Sequence, residues 1–259
     1  MKTVQAVINL SEGLYLSLSC FGLTRERIVS ESKKLLALKY FQEKLLSLGN
    51  ATELSGMSRW DFIEYLSSNN VPVIDYDDDE IGREFETAEN ISGSAGIMKV
   101  MSDSTVLIGL AKIEKTDLLR DIFQKICIPE AVFKEVAGEG ERRAGAKALR
   151  EAAWIIKKQI ADYTQANLLM TVLEKGEAEV LVLAKEMQAD LVLLDEEKAR
   201  KSAVRAGFKV MGLIGILLVA KRLGLITDIR TSVETLQREK FRLSEKIVNM
   251  ALKQAGELV

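Results

Sequence analysis

The stretch GEAEVLVLAKEMQADLVLLDEEKAR, residues 176–200, sets two carboxylates where an α/β protein would use them. At helical spacing Val180, Leu181, Ala184 and Met187 share one face, suited to packing on a sheet. Glu177 falls in the first turn of that helix, at the edge of the same stripe. Leu191-Val192-Leu193-Leu194 then forms an unbroken apolar run, the mark of a strand buried on both faces, and it stops at Asp195. Reactive groups in α/β proteins collect at strand ends, so a helix-start Glu and a strand-end Asp are candidates to converge. Glu179 points elsewhere and falls on the solvent side with Glu186, which makes Glu177 the better ligand of the two. Two more acids stand out. Asp103 should be delivered to the sheet edge by the short apolar lead before it. Glu135 sits beside the apolar helix face of Val132, Phe133 and Val136, although alone it reads as a surface glutamate.

The chain has no histidine, which excludes histidine triads, histidine general bases and histidine metal ligands together. Chemistry is left to carboxylates, Lys, Arg, Tyr, Cys and hydroxyls. Cys20 and Cys127 lack CxxC spacing and read as buried thiols in a reducing compartment. No apolar run reaches membrane-spanning length and MKTVQAVINLSEG lacks a signal-peptide core, so a cytoplasmic protein with no membrane partner is expected. The net charge of −2 hides an asymmetry. Residues 1–60 carry eight Lys/Arg against five Asp/Glu, residues 61–97 one against ten, and residues 98–259 27 against 23. An acidic connector should attract a mildly basic body.

Residues 3–10 and 14–21 carry β-type residues around Ser11-Glu12-Gly13, consistent with an N-terminal strand or short strand pair. From Thr24 the pattern is helical. A short helix near Asn50–Leu54 ending at Gly56, then a second capped by Ser58, gives the helix-turn-helix pattern, with Ser58, Arg59 and Trp60 at the start of the recognition helix. A plain helical hairpin fits the pattern equally well. Residues 75–90, DYDDDEIGREFETAEN, read either as a solvated tail or as an acidic arm, with Tyr76, Ile81 and Phe85, that folds onto a basic surface. Residues 91–97 read as a flexible linker, and Met98 opens what looks like a second coding start. The expected division is therefore 1–74, 75–97 and 98–259. In the last part a strand delivering Asp103 and strands at 126–129 and 152–156 alternate with helices from Pro129, from about 163 and from Gly212, and 231–259 is helical. That alternation predicts a parallel α/β sheet with flanking helices, preceded by a small, mainly helical domain.

SDSTVLIGLAKI, IPEAVFKEV, GEAEVLVLA, LVLLDEEKAR and GLIGILLVAKRLGLI occur in the order and spacing of a PIN-domain nuclease of the VapC-like toxin type. The resemblance covers nearly all of 98–259. Residues 20–90, with NATELSGMSRWDFIEYLSSNNVPVIDYDDDE, are similar to small helix-turn-helix antitoxins, so the whole resembles a VapBC-like antitoxin fused ahead of its toxin. The resemblance places the family's four acids on Asp103, Glu135, Glu177 and Asp195. The Thr that many members carry two residues before the last acid is Leu193 here, and Ser104 or Thr105 would supply a hydroxyl instead.

Such a set implies Mg²⁺ or Mn²⁺, because clustered carboxylates repel until a hard cation joins them. Asp103, Glu177 and Asp195 would hold the metal, Glu135 would hold a second ion or orient water, and the reaction would be endonucleolytic cleavage of single-stranded or loop RNA. Ser104, Lys198, Arg200, Lys201 and Arg205 are the RNA-binding candidates, a solvated helix face being as good a reading of the four cations. The acidic arm, with Phe85 among its residues, would cover the groove, and Arg83, its one cation, would replace the metal. The helix-turn-helix would bind operator DNA as a homodimer or higher oligomer. The competing readings are a DNA-binding autoregulator whose catalytically inactive PIN-like half mediates oligomerisation, and an interaction module whose acids all lie on the surface.

Overall fold

The computed structural model describes residues 6–92, 98–138 and 143–258. Strands β1 (Val100–Ser102), β2 (Ile126–Pro129), β3 (Ile155–Lys158), β4 (Leu191–Leu193) and β5 (Val210–Met211) form one parallel sheet in the order β3-β2-β1-β4-β5. Parallel pairing demands crossovers, and helices supply them on both faces. They are α6 (Ser104–Lys112) and α7 (Asp117–Phe123), α8 (Glu130–Ala137) and α9 (Ala144–Glu151), α10 (Tyr163–Leu169) and α11 (Lys175–Met187), and α12 (Glu197–Arg205). After β5 come α13 (Leu213–Arg222), α14 (Arg230–Arg238) and α15 (Glu245–Gln254). The helical tail expected over 231–259 is thus two helices with a break.

The chain winds outward from β1 through β2 to β3, then crosses to β4 on the other side of β1. Connections diverge between β1 and β4, so a crevice opens at their C-terminal ends. Ser102 pairs with Leu193, and Asp103 N donates to Leu193 O at 3.0 Å. Asp103 and residues 194–196 therefore leave the sheet side by side.

The N-terminal part is helical: α1 (Glu12–Cys20), α2 (Arg25–Gln42), α3 (Leu48–Ser55), α4 (Arg59–Ser68) and α5 (Asp78–Ser92). Residues 3–5 of the expected N-terminal strand lie outside the described residues, and among the described ones it does not form. Residues 6–10 have no regular structure, and 14–20 lie in α1, where Leu14 N donates to Ser11 Oγ at 3.4 Å. A local cap suffices to start a helix, whereas β-type residues need a partner edge, and no strand pairs with this segment among the described residues. The α3–α4 pair follows the sequence reading: Ser47 and Ser58 accept from Asn50 N and Asp61 N at 3.2 and 3.1 Å, and Gly56 at φ +71° ends α3.

The acidic run is a helix. Asp77 and Glu80 exchange backbone-to-carboxylate hydrogen bonds of 2.8 and 3.1 Å, a reciprocal cap, and acids in the first turn suit the helix dipole. Ile81, Ala88 and Ile91 are buried, and α5 packs on α13. The linker expected over 91–97 lies outside the described residues from 93 on; Ile91 and Ser92 finish α5. Nearby, Val73 N donates to Arg242 O at 2.8 Å and Ser244 N to Ile74 O at 3.1 Å, stitching the N-terminal part to the end of the chain. No helix among the described residues is long and apolar enough to cross a membrane.

Candidate metal centre and its cover

At the crevice, Glu174, Glu177 and Glu196 each present a carboxylate oxygen within 4.8 Å of the others. Glu174 precedes α11 and Glu177 lies one turn in, where its Oε2 accepts from Glu174 N at 3.0 Å. Glu196 follows β4 and opens α12. Asp103 caps α6, accepting from Ser104 N and, at 3.1 Å, from Ser104 Oγ. Its charge acts on Glu135, Glu177 and Glu196.

Burial, reinforced by Glu196, Glu174 and Asp103, pushes the Glu177 carboxyl well above its ordinary range. Burial and then Glu174 push Glu196 up to about 8. Burial raises Glu135 too, against the opposing pull of Arg59. Burial works on Glu174 in the same sense, but Arg59, Ser47 and the Gly49 amide outweigh it and hold that carboxyl low. Such crowding of acids in a dry place suits a divalent cation. Among the described residues Glu177 Oε1 is buried without a hydrogen-bond partner, and an all-oxygen donor set matches Mg²⁺ or Mn²⁺ rather than zinc.

Of the expected trio, only Glu177 belongs to this group. Asp103 stands beside it, within electrostatic reach. Asp195 turns away: its Oδ1 accepts from the Tyr76 hydroxyl and, at 3.0 Å, from Leu213 N, and burial pushes its carboxyl up to about 7. Glu196 joins the acidic group, whereas the carboxylate of Asp195 is held by Tyr76 and the start of α13. Glu174 and Glu196 were not foreseen. The signal for Glu174 was its spacing of three residues before Glu177 at a helix start, and Glu196 was the second acid of Asp195-Glu196-Glu197. Glu179 is buried rather than solvent-facing, because every residue from Gly176 to Ala184 is covered. Leu193 is fully buried in β4. Thr105 Oγ1 has no hydrogen-bond partner, and Thr105 lines a cavity of about 320 Å³ together with Asp195, Glu196, Lys44 and Lys198.

The N-terminal part closes over these acids. Arg59 Nη2 lies 2.6 Å from Glu174 Oε2 and Arg59 Nε 3.2 Å from Glu135 Oε2. The start of α3 adds Gly49 N, donating to Glu174 Oε1, and Leu48 N, donating to Glu196 Oε2 at 3.3 Å. One helix start and one guanidinium thus bring positive charge to the acidic group. Trp60, 2 % exposed, donates through Nε1 to Val136 O at 3.3 Å, with Lys112 and Arg143 over its ring at 5.8 and 5.7 Å.

Several expected roles change accordingly. Arg59 and Trp60, assigned to DNA, are buried within the chain; Ser58 is exposed and its hydroxyl donates to Asp61 Oδ2 at 2.6 Å. Arg83, assigned to the site carboxylates, is exposed, because α5 turns Glu80, Ile81, Glu84 and Ala88 inward and leaves Arg83 outside. Phe85 is half-buried. Among the described residues, the cation paired with Glu174 and Glu135 is Arg59. Among the RNA candidates, Ser104 and Arg200 are buried and Lys198 and Arg205 are exposed. Lys201 pairs with Glu197 and, at 3.2 Å, with Asp77.

Residues 1–90 match the family model of UPF0175, an uncharacterised protein family. A UPF0175 protein of Aeropyrum pernix is 33% identical over 57 residues, 22% of this chain and 63% of the relative, so the chain spans less than two thirds of that relative's length. No solved structure matches the chain. Residues 99–257, the parallel sheet with its acidic crevice, match the family model DUF3368, described as a PIN domain, and the chain belongs to this PIN-domain family.

Proposed function

We propose that the chain is a toxin–antitoxin fusion: a Mg²⁺- or Mn²⁺-dependent endoribonuclease held in check by its own antitoxin-like N-terminal part. The observation that carries this reading is Arg59, buried between Glu174 and Glu135, where it supplies the positive charge that a metal ion would otherwise bring. Glu174, Glu177 and Glu196 are the residues that would hold the ion, with Asp103 adding its charge beside them. When bound, the metal supplies Lewis-acid polarisation of the scissile phosphate and an activated water. Glu135, its carboxyl raised by burial, would hold or accept a proton once Arg59 withdraws. With no histidine in the chain, these carboxylates are the groups we assign to proton transfer.

The substrate we assign is single-stranded or loop RNA, the class that the VapC-like resemblance implies. The test compares the wild-type chain with Arg59→Ala, and with Arg59→Met should the alanine variant prove insoluble, on single-stranded RNA with Mn²⁺ or with a chelator. Metal-dependent cleavage that appears on replacing Arg59 and disappears on adding Glu177→Gln supports the proposal. Equal cleavage by wild type and the Arg59 variants removes the restraint, and no cleavage by any of them removes the nuclease.

A further inference from the structure

A second buried polar cluster lies where α5 meets the start of α13. Glu84, 1 % exposed, accepts through Oε1 from Gly212 N and Gly215 N, both at 2.7 Å, and through Oε2 from Arg200 Nη2 at 2.8 Å. Leu213 N, between the two glycines, donates to Asp195 Oδ1. Both glycines are needed for this approach. A Cβ at Gly215 would lie 2.6 Å from Glu84 Oε1, and one at Gly212 would run into Tyr76 and Asp195. Arg200, 3 % exposed, is fixed by Leu194 O at 2.8 Å and by the Tyr76 ring, 4.1 Å from its guanidinium.

Helix-start amides beside a guanidinium form an anion site by their chemistry. Two observations give the site a ligand. It already holds an anion, the Glu84 carboxylate, whose two oxygens stand where two phosphate oxygens would. It is also under-filled: among the described residues Arg200 Nε is buried without a hydrogen bond, 3.8 Å from Glu80 Oε1, which likewise lacks one. A phosphate offers more acceptor oxygens than a carboxylate and would use that donor. Nor is Glu84 alone. Along α5 and its cap, Asp77 pairs with Lys201 at 3.2 Å, Asp78 with Lys246 at 2.7 Å and Glu89 with Arg222 at 2.9 Å. A row of acids thus follows a row of cations, as a polyanionic backbone would.

The geometry points to a phosphate cradle for the RNA backbone, built from Gly212 N, Gly215 N and Arg200, with helix α5 lying on it as an RNA mimic and Glu84 as the stand-in phosphate. The cradle adjoins the acidic group through Asp195, whose neighbour Glu196 belongs to that group. The assignment to RNA rests on the nuclease reading above, but the cradle can be read without turnover.

The experiment uses the full chain with Glu84→Ala, and Glu84→Ser if the alanine variant is not recovered folded. The first probe is inorganic phosphate, compared with chloride at equal ionic strength. Phosphate should raise the thermal midpoint of the Glu84 variant by about 2–4 °C. It should leave the wild type and the double variant with Arg200→Gln unmoved. The second probe is a short single-stranded RNA, bound in chelator so that nothing is cut. The Glu84 variant should bind it at least about tenfold more tightly than wild type, and Arg200→Gln should abolish the gain. A phosphate shift without an RNA gain would assign the cradle to free phosphate and overturn the RNA mimic. No phosphate-specific shift in a folded Glu84 variant would overturn the cradle itself. Either result is independent of whether RNA is cleaved, so the nuclease reading stands or falls separately.

Discussion

Arg59 and Glu174 form a buried ion pair of 2.6 Å between residues 115 positions apart in the chain, one at the start of α4 and the other at the start of α11. Removing one member of such a pair leaves the other charge buried and uncompensated, at a cost of roughly 3–5 kcal/mol. A divalent cation would recover part of that cost by occupying the same carboxylates. Arg59→Ala should therefore bind Mn²⁺ at least about tenfold more tightly than wild type in a calorimetric titration. Equal affinities would show that Arg59 does not compete for the metal position.

Gly49 offers the same outcome without touching a charge. Its amide donates to Glu174, and a side chain there would run into that carboxylate. Gly49→Ala should displace the start of α3 and destabilise the closed arrangement by about 1–3 kcal/mol. Tighter Mn²⁺ binding with Arg59 intact is the expected readout. A variant with wild-type melting and wild-type metal affinity would refute the close contact.

Trp60 fastens α4 to the carbonyl of Val136 and lies against Gly145, where an added Cβ would stand 3.2 Å from its ring. Trp60→Ala should cost roughly 3–5 kcal/mol. The loss should be local. Amides of α3 and α4 should gain hydrogen exchange before those of β1 and β4, and uniform acceleration across the sheet would contradict an anchoring role.

Stability of the metal-free chain should fall as pH rises from about 5 to 8. Glu196, raised from 4.5 to about 8, and Asp195, raised from 3.8 to about 7, hold protons in the fold that the unfolded chain has already released. Burial and neighbouring acids place Glu177 on the same side. Their stabilisation is complete below the unfolded values and is lost as pH passes the folded ones. With no histidine in the chain, no imidazole titration obscures this window. Melting in chelator at pH 5.5 and 8.5 tests the sign; a higher midpoint at 8.5 would reverse it. Glu196→Gln should flatten the slope.

Strands β2 and β4 were legible because central parallel strands are continuous apolar runs, and Ile126–Pro129 and Leu191–Leu193 stand out as such. Strand β5 did not, since Val210–Met211 is too short to show a pattern. The α3–α4 pair was legible from Ser58 and Gly56, whose roles are local. What α4 faces was not, since an Arg at a helix start looks the same whether it meets DNA, solvent or a buried glutamate. Helix α5 was harder still. Its inward face includes Glu80 and Glu84, which belong to a buried stripe only because Arg200 and the start of α13 receive them. At the acidic crevice, one residue decided the outcome: the direction of the chain leaving β4 selects Glu196 over Asp195, and composition carries no trace of that direction.

A guanidinium that reaches its carboxylates from the same polypeptide behaves differently from one delivered by a separate molecule. Its effective concentration is set by chain geometry, so dilution does not weaken the contact. Neither does unequal synthesis of two products, because the ratio of lock to site is fixed at one. On the proposed reading, opening would come from a local rearrangement of α3 and α4, from a stronger competitor for the acids, or from a cut in the backbone between the two parts.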